Sequence, residues 1–316
     1  MKGKIPFSIR NRRITFKLEL ERNVTIITGD SGTGKTKLIN MVRMYSELGK
    51  SSGITLKCDK PCIVLSGGNW ETILANTRGS IVFVEESTSF LSSRAFADAI
   101  RRTDNYYVFV TREPLPQIPY SVDSIKQIVK NGSKPKMEKL YRNISVKDIT
   151  DFPYDAVIVE DAKAGFKFFS RASEKKNVLC ISAEGKSNLL SMLNKSDADR
   201  ILVIADAAAL GSEIKELMQF KNLSDKKIDF FLPESFEWLI LKSVIFSGND
   251  RVKDVLAAPV DYIESETFFS WERFFTHLLV EETRGKPQLQ YPKNKSRLPS
   301  GYLTDANMDS ILNAMK

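Results

Sequence analysis

The octapeptide Gly29-Asp30-Ser31-Gly32-Thr33-Gly34-Lys35-Thr36 constrains this chain more than any other stretch, because it fits G-x4-G-K-[ST] in full. Three glycines let the backbone curl and aim successive N–H groups at a phosphate. Before it runs Asn23 to Thr28, a short β-branched segment. After it, Lys37 to Tyr45 carries apolar residues at helical spacing. The order is strand, loop, helix, which sets the positive end of a helix dipole at the phosphate site. In such a site residues 29 to 36 hold the phosphates, with Lys35 reaching the β- and γ-groups. The Thr36 hydroxyl is expected to be one oxygen ligand of Mg2+.

Further along, Ile81-Val82-Phe83-Val84-Glu85-Glu86 delivers an acidic pair to the end of a four-residue apolar run. With the glycine loop, this resembles the Walker B strand of P-loop ATPases, with Glu85 standing where that family usually has Asp. The resemblance implies ATP and Mg2+ as cofactors. It implies that Glu85 holds the Mg2+ shell together with Thr36, and that Glu86 polarises the attacking water. Thr111 ends the apolar run Tyr106 to Val110 and resembles the polar sensor of the neighbouring strand in these ATPases; Arg112 follows it. The catalytic candidates are thus Lys35, Glu86 and Thr111. Leu65-Ser66-Gly67-Gly68 imitates the start of the ABC-transporter signature. Only about thirty residues separate it from the loop, too few for the helical subdomain of that family, so a strand-to-helix turn is expected.

A second set of acids lies in the other half. Val157-Ile158-Val159-Glu160 and Ile201-Leu202-Val203-Ile204-Ala205-Asp206 each end an apolar run in a carboxylate, and Cys180 to Ser187 places a glycine turn between them. Carboxylates at strand C-termini converge on a crevice. The order resembles the Toprim domain of primases, topoisomerases and the overcoming-lysogenisation-defect (OLD) family of ATPase-nucleases, over about Asp155 to Leu241. That resemblance implies Glu160 and Asp206 as metal ligands for phosphodiester chemistry. Asp206-Ala207-Ala208-Ala209-Leu210-Gly211 keeps the first Asp and the Gly of D-x-D-x-x-G, but Ala208 replaces the second Asp. A methyl group cannot coordinate a hard cation, which argues against retained nuclease chemistry. Glu237 lies among Ile240, Leu241 and Val244 on the apolar face of a helix expected over residues 235–246. It is either a substitute metal ligand or an acid that pairs with a basic residue or emerges at the helix end. Asp161 and Glu184 are further candidates for that ligand, although acids in such positions are more often solvated loop acids.

Charge is unevenly distributed. Residues 1 to 150 hold 25 basic and 14 acidic residues, whereas 151 to 316 hold 22 and 25. The basic excess suits a polyanion, whether nucleic acid or nucleotide. Lys126 to Lys147 carries seven basic residues against one acidic residue and includes Asn131-Gly132 and Pro135, so it reads as a solvated interdomain linker, with nucleic-acid contact as the second reading. Arg10, Arg12 and Arg13, beside Phe7 and Phe16, flank a nucleotide or DNA in one reading, but their spacing does not choose. Cys58, Cys62 and Cys180 lack the partners of a zinc site and read as reduced thiols. The lone His277 excludes a His-pair metal site. No apolar run approaches the roughly 18 residues of a membrane span, and Met1 to Lys17 alternates basic and apolar residues without a signal-peptide core. A cytoplasmic protein without a membrane partner is expected.

The expected fold is therefore α/β. A P-loop NTPase domain with a parallel sheet spans residues 1–145, and a Toprim-like, Rossmann-like α/β domain spans 150–250. An aromatic-rich, mainly helical C-terminal tail spans 251–316. The expected function is an Mg2+-dependent ATPase controlling a nucleic-acid-directed second domain, resembling in content the OLD-type fusions of mobile elements and phage defence. The alternative is a non-catalytic ATP-dependent switch whose second domain only binds a partner protein or nucleic acid. Homo-oligomerisation is compatible with either.

Overall fold

The computed structural model describes residues 1–142, 144–146 and 152–315. It is a mixed α/β protein with three sheets, two of them containing parallel strands with flanking helices, and a C-terminal helical region. The chain separates into two compact units, Met1–Arg142 with Ala258–Ser270, and Asn143–Ala257 with Trp271–Lys316.

In the first unit, β1 (Ile5–Arg10) and β2 (Thr15–Leu20) form an antiparallel hairpin. Alternation drives it: Ile5, Phe7 and Ile9 face the core and Pro6 and Arg10 face solvent, while Phe16, Leu18 and Leu20 are buried opposite exposed Lys17 and Glu19. The alternation of residues 1–17, read from sequence only as excluding a signal peptide, is that of a half-buried strand. The Asn11 carboxamide closes the turn by accepting from the amides of Arg13 and Ile14 at 2.9 and 3.0 Å.

Next come β3 (Val24–Thr28), α1 (Lys35–Leu48), β4 (Thr55–Lys57), β5 (Cys62–Leu65), α2 (Trp70–Ala75), β6 (Ile81–Glu85), α3 (Arg94–Ile100), β7 (Tyr106–Val110), β8 (Ile125–Val129) and β9 (Lys136–Lys139). β4 adds to the hairpin, giving the order β2-β1-β4. The remaining strands form a six-stranded sheet in the order β5-β6-β7-β3-β8-β9, parallel except for β9. β6 and β7 are buried along their apolar lengths, as central parallel strands covered on both faces must be.

Most of the basic stretch from Lys126 is not a linker, and the boundary between the two units falls near its end, between Arg142 and Asn143. Lys126 to Lys139 forms the β8–β9 hairpin at the edge of this sheet, with Ile125 and Ile128 buried and the turn closed from Lys134 N to Asn131 O at 3.0 Å. Its lysines are the solvent face of an edge ribbon, where charge blocks further strand pairing.

The second unit contains β10 (Ala156–Val159), α4 (Ala164–Glu174), β11 (Leu179–Ser182), α5 (Leu189–Lys195), β12 (Arg200–Ile204), α6 (Ile214–Leu223), β13 (Lys227–Phe231), α7 (Phe236–Lys242) and α8 (Asp250–Ala257). α9 (Trp271–Glu282) and α10 (Asp305–Asn313) complete it. Its sheet is fully parallel in the order β11-β10-β12-β13. The chain passes from β10 to one side and then returns to the other, so the C-terminal ends of β10 and β12 lie at a topological switch point. α7 is shorter than its apolar pattern predicts; a 3-10 turn at Val244–Phe246 follows it.

The C-terminal region does not form a single extension. Residues 258–270 belong to the first unit, where Gly3 N donates to Val260 O at 2.8 Å and Asn23 Nδ2 to Phe269 O at 2.7 Å. Residues 271–316 belong to the second. Among the described residues, no helix is long and apolar enough to cross a membrane.

Candidate functional site

Residues 29–34 connect the buried end of β3 to the start of α1. Gly34 caps the helix at φ 107°, a conformation that L side chains rarely adopt, and a Cβ there would meet the Phe16 ring at 3.2 Å. Phe16 on β2 thus packs under the loop and holds its glycine backbone close. The first-turn amides of α1 have no partners within the helix and are available to an anion. Lys35 is only 9% exposed, and its Nζ donates to the carbonyls of Gly29 and of Asp30, the latter at 2.7 Å. Burial and the nearby Arg112 charge hold Lys35 below the ordinary lysine range. Arg112 donates to Ser31 Oγ at 2.9 Å, which brings a second cation to the loop. Thr36 is exposed on the first turn of α1.

The acidic pair lies two strands away. β7 separates β3 from β6, and the register sets Ile27 and Glu85 each opposite Val110. Strand spacing puts the β3 and β6 backbones roughly 10 Å apart at this level. Glu86 N donates to Val110 O at 3.0 Å, which fixes the acidic turn beside the end of β7. Glu86 itself is exposed, whereas Glu85 is half-buried and pairs with Arg43 of α1 at 3.5 Å. Thr111, 2% exposed, turns its hydroxyl into its own loop: Oγ1 accepts from Glu113 N at 3.0 Å and donates to Glu113 O at 3.2 Å. Leu65 to Gly68 is the end of β5 and the turn leading to α2.

In the second unit, Glu160 and Asp206 follow β10 and β12 at the switch point. They line a cavity of about 200 Å³ together with Glu237 of α7, Glu272 of α9, Lys186 and Lys295. Glu237 is 1% exposed, and Lys295 Nζ lies 3.1 Å from its Oε1 and 2.6 Å from Glu272 Oε1. Tyr291 donates to Glu237 Oε1 at 2.8 Å. Asp206 Oδ1 accepts from Phe236 N at 3.0 Å, which ties the acid to the start of α7. Burial opposes the charge of Lys295, but Glu237, Glu272 and Asp206 outweigh it and hold the ammonium above the ordinary lysine range.

The same crowding acts oppositely on the acids. Burial, then the charges of Glu272 and Asp161, push Glu160 up to about 7. Burial and Glu272 push Asp206 well above the usual carboxylate range, against the pull of Lys295.

The three acids singled out as metal ligands therefore share one cavity, in which both oxygens of Glu237 are held by Lys295 and Tyr291 and Asp206 Oδ1 is held by the Phe236 amide. Among the described residues, no group of three or more His, Cys, Asp or Glu side chains is arranged to hold a metal ion. Ala208 is buried, and the loop it belongs to is pinned by Lys186, which donates to Ala209 O and Ser212 Oγ at 2.9 Å and pairs with Glu213 at 3.0 Å.

Asp161 is no free acid: its carboxylate accepts from the amides of Lys163 and Gly165, at 3.0 and 2.6 Å, and caps the start of α4. Glu184 is exposed in a turn, and His277 pairs with Glu281 one helical turn away at 3.2 Å. Glu272, Tyr291, Lys186 and Lys295 were not singled out from sequence. No motif spacing links them, and each meets the acids only through long-range packing.

No family model, no curated protein and no solved structure matches the chain. The site geometry itself thus has to carry the functional reading.

Proposed function

We propose that the first unit is an ATP-binding, ATP-hydrolysing module and that the second, Toprim-like unit is a nucleic-acid- or protein-directed domain that does not cleave. The observation that carries the first part is the complete glycine loop between β3 and α1, with Glu85 and Glu86 two strands away at the same end of the sheet. These residues fit a magnesium-bound triphosphate: Thr36 and Glu85 would hold the ion, and the loop amides and Lys35 the phosphates. When bound, Mg2+ neutralises charge on the β- and γ-phosphate oxygens. Lys35 has to exchange its carbonyl partners for phosphate oxygens, and Glu85 has to leave Arg43. Glu86, exposed and anchored through its backbone, is the group to orient and polarise water. Thr111 contributes by shaping the turn that carries Arg112, unless its hydroxyl turns out of that turn on binding.

For the second unit, the Lys295 ammonium favours the non-cleaving reading. It supplies, from within the chain, the positive charge that the acids require, and Ala208 removes a ligand that metal chemistry would need. Hydrolysis of ATP by the purified protein, with and without DNA, tests the whole: turnover well above a Lys35→Ala control is expected. ATP binding without any turnover beyond that control would replace the enzyme by a switch, and Mn2+-dependent cleavage of DNA that depends on Asp206 would overturn the non-cleaving assignment.

A further inference from the structure

Two basic features of the sequence, Arg10 to Lys17 and the stretch from Lys126, come together in the first unit. They line one groove of about 1050 Å³, bounded by the outward face of the β2-β1-β4 sheet and by the β8–β9 hairpin. We propose that this groove binds the phosphodiester backbone of single-stranded nucleic acid, at a site distinct from the glycine loop.

Register supplies the argument. Ser8 of β1 lies opposite Lys17 of β2 on one side and Lys57 of β4 on the other, and Arg10 lies opposite Thr15 and Thr55. The backbones of Lys17 and Lys57 are thus two strand spacings apart, roughly 9.5 Å, and Arg10 follows about 7 Å along the strand from Ser8. All three cations are exposed, as is Thr55, while Ser8 and Thr15 are half-buried. The result is a platform of cations interleaved with hydroxyls, suited to a chain of phosphates. Lys134 extends the cationic run from the hairpin turn. Lys126 closes the wall, its ammonium donating to Glu19 O at 2.8 Å. Two acids oppose these cations: Glu19, which shares Lys4 with the closer Glu21, at 3.5 and 2.9 Å, and Asp59.

The chemistry favours a nucleic acid over an acidic peptide. Of the groove's large apolar residues, Phe7 and Leu18 point into the core and Leu56 and Met137 are half-buried against it, so no exposed aromatic ring offers the anchor that peptide recognition relies on. The same lack of an exposed ring leaves base stacking out and makes the contact electrostatic and indifferent to sequence. The groove is also large for a single small molecule, just above the range of roughly 300–1,000 Å³ usual for such sites. Opposite faces of β2 serve the two sites, Lys17 in the groove and Phe16 beneath Gly34 of the glycine loop.

The test is fluorescence anisotropy of a labelled 20-nucleotide single-stranded DNA and RNA against the full chain, from 50 to 200 mM salt. Binding is expected to weaken steeply with salt. Arg10→Ala/Lys17→Ala/Lys57→Ala should lose at least tenfold in affinity and about 2 in the log–log salt slope, at about 0.7 per phosphate contact. Unchanged ATP binding would show that the variant is folded. The matched removal of Arg78, Arg94 and Arg102, three exposed charges of the first unit that do not line the groove, should change affinity less than twofold. No binding by the wild-type chain at 50 mM salt overturns the proposal, as does equal loss from both sets of substitutions. A poly-glutamate peptide that binds as tightly and competes would also overturn it, by making the partner an acidic polypeptide.

Discussion

The glycine loop and the acid cavity each hold a partly buried lysine at the end of a parallel sheet, but the two lysines are held differently. Lys35 rests on neutral backbone carbonyls, which a phosphate can replace with stronger, charge-assisted bonds. Lys295 sits between two carboxylates, one of them almost fully buried, and leaving them would strand charge in a poor solvent. One lysine has only neutral partners; the other already has its counter-ions. A sheet's carboxyl edge can thus be a binding site or a closed polar network, according to what neutralises its charges.

The largest expected effect attacks the closed network. Lys295→Ala leaves Glu237 and Glu272 without their cation and should destabilise the protein by about 3–5 kcal/mol in chemical denaturation, with partial recovery on adding Glu237→Gln. A loss below about 1 kcal/mol would mean that Lys295 is a spectator and that the two lysines do not differ as described. Next, Lys35→Ala should lower ATP turnover by roughly 100- to 1000-fold, the scale of losing one preorganised charge-stabilising donor, while leaving the denaturation midpoint nearly unchanged. A fall in stability as large as that for Lys295→Ala would erase the distinction.

Protonation sharpens the comparison further. Burial keeps Glu160 protonated up to about 7 in the folded protein, against an ordinary value of 4.5 in the unfolded chain. Between those values the folded state binds the extra proton, so stability should fall as pH rises from about 4.5 to about 7, by at most about 3 kcal/mol from this group. The raised Asp206 acts in the same direction. Glu160→Gln should flatten the slope; a slope that persists in full would assign it elsewhere. The smallest effect concerns Arg43, whose half-exposed pair with Glu85 is worth about 0.2–1 kcal/mol. Arg43→Ala should tighten the Mg2+ dependence of ATP turnover by no more than about fivefold; weaker Mg2+ dependence would mean that Arg43 assists rather than competes.

The first site is legible in the sequence because its parts are contiguous: eight residues write the loop, and Val84-Glu85-Glu86 writes the end of an apolar strand. The cavity is legible only in its strand-borne acids. Glu237 announces itself as a buried acid in need of a partner, yet Lys295 lies 58 residues away in a proline-containing loop with no pattern pointing to it. The basic segment from Lys126 misleads because charge density obscures Ile125 and Ile128, the two residues that make it a sheet edge. The strands β1, β2 and β4 are short, β1 contains Pro6, and their alternation becomes informative only once paired.

By itself the sequence determined the local chemistry: where a glycine-rich loop joins a strand to a helix, which strands end in acids, and that Ala208 cannot bind a cation. The tertiary structure decided which charges meet. It gathered Lys17, Ser8 and Lys57 into one row, and it brought Lys295 and Glu272 to acids far away in the chain. Backbone conformation is governed by neighbours within a few residues, and a short motif can encode it. Charge neutralisation depends on distance in space and on exclusion of water, and both come into being only when the chain is packed.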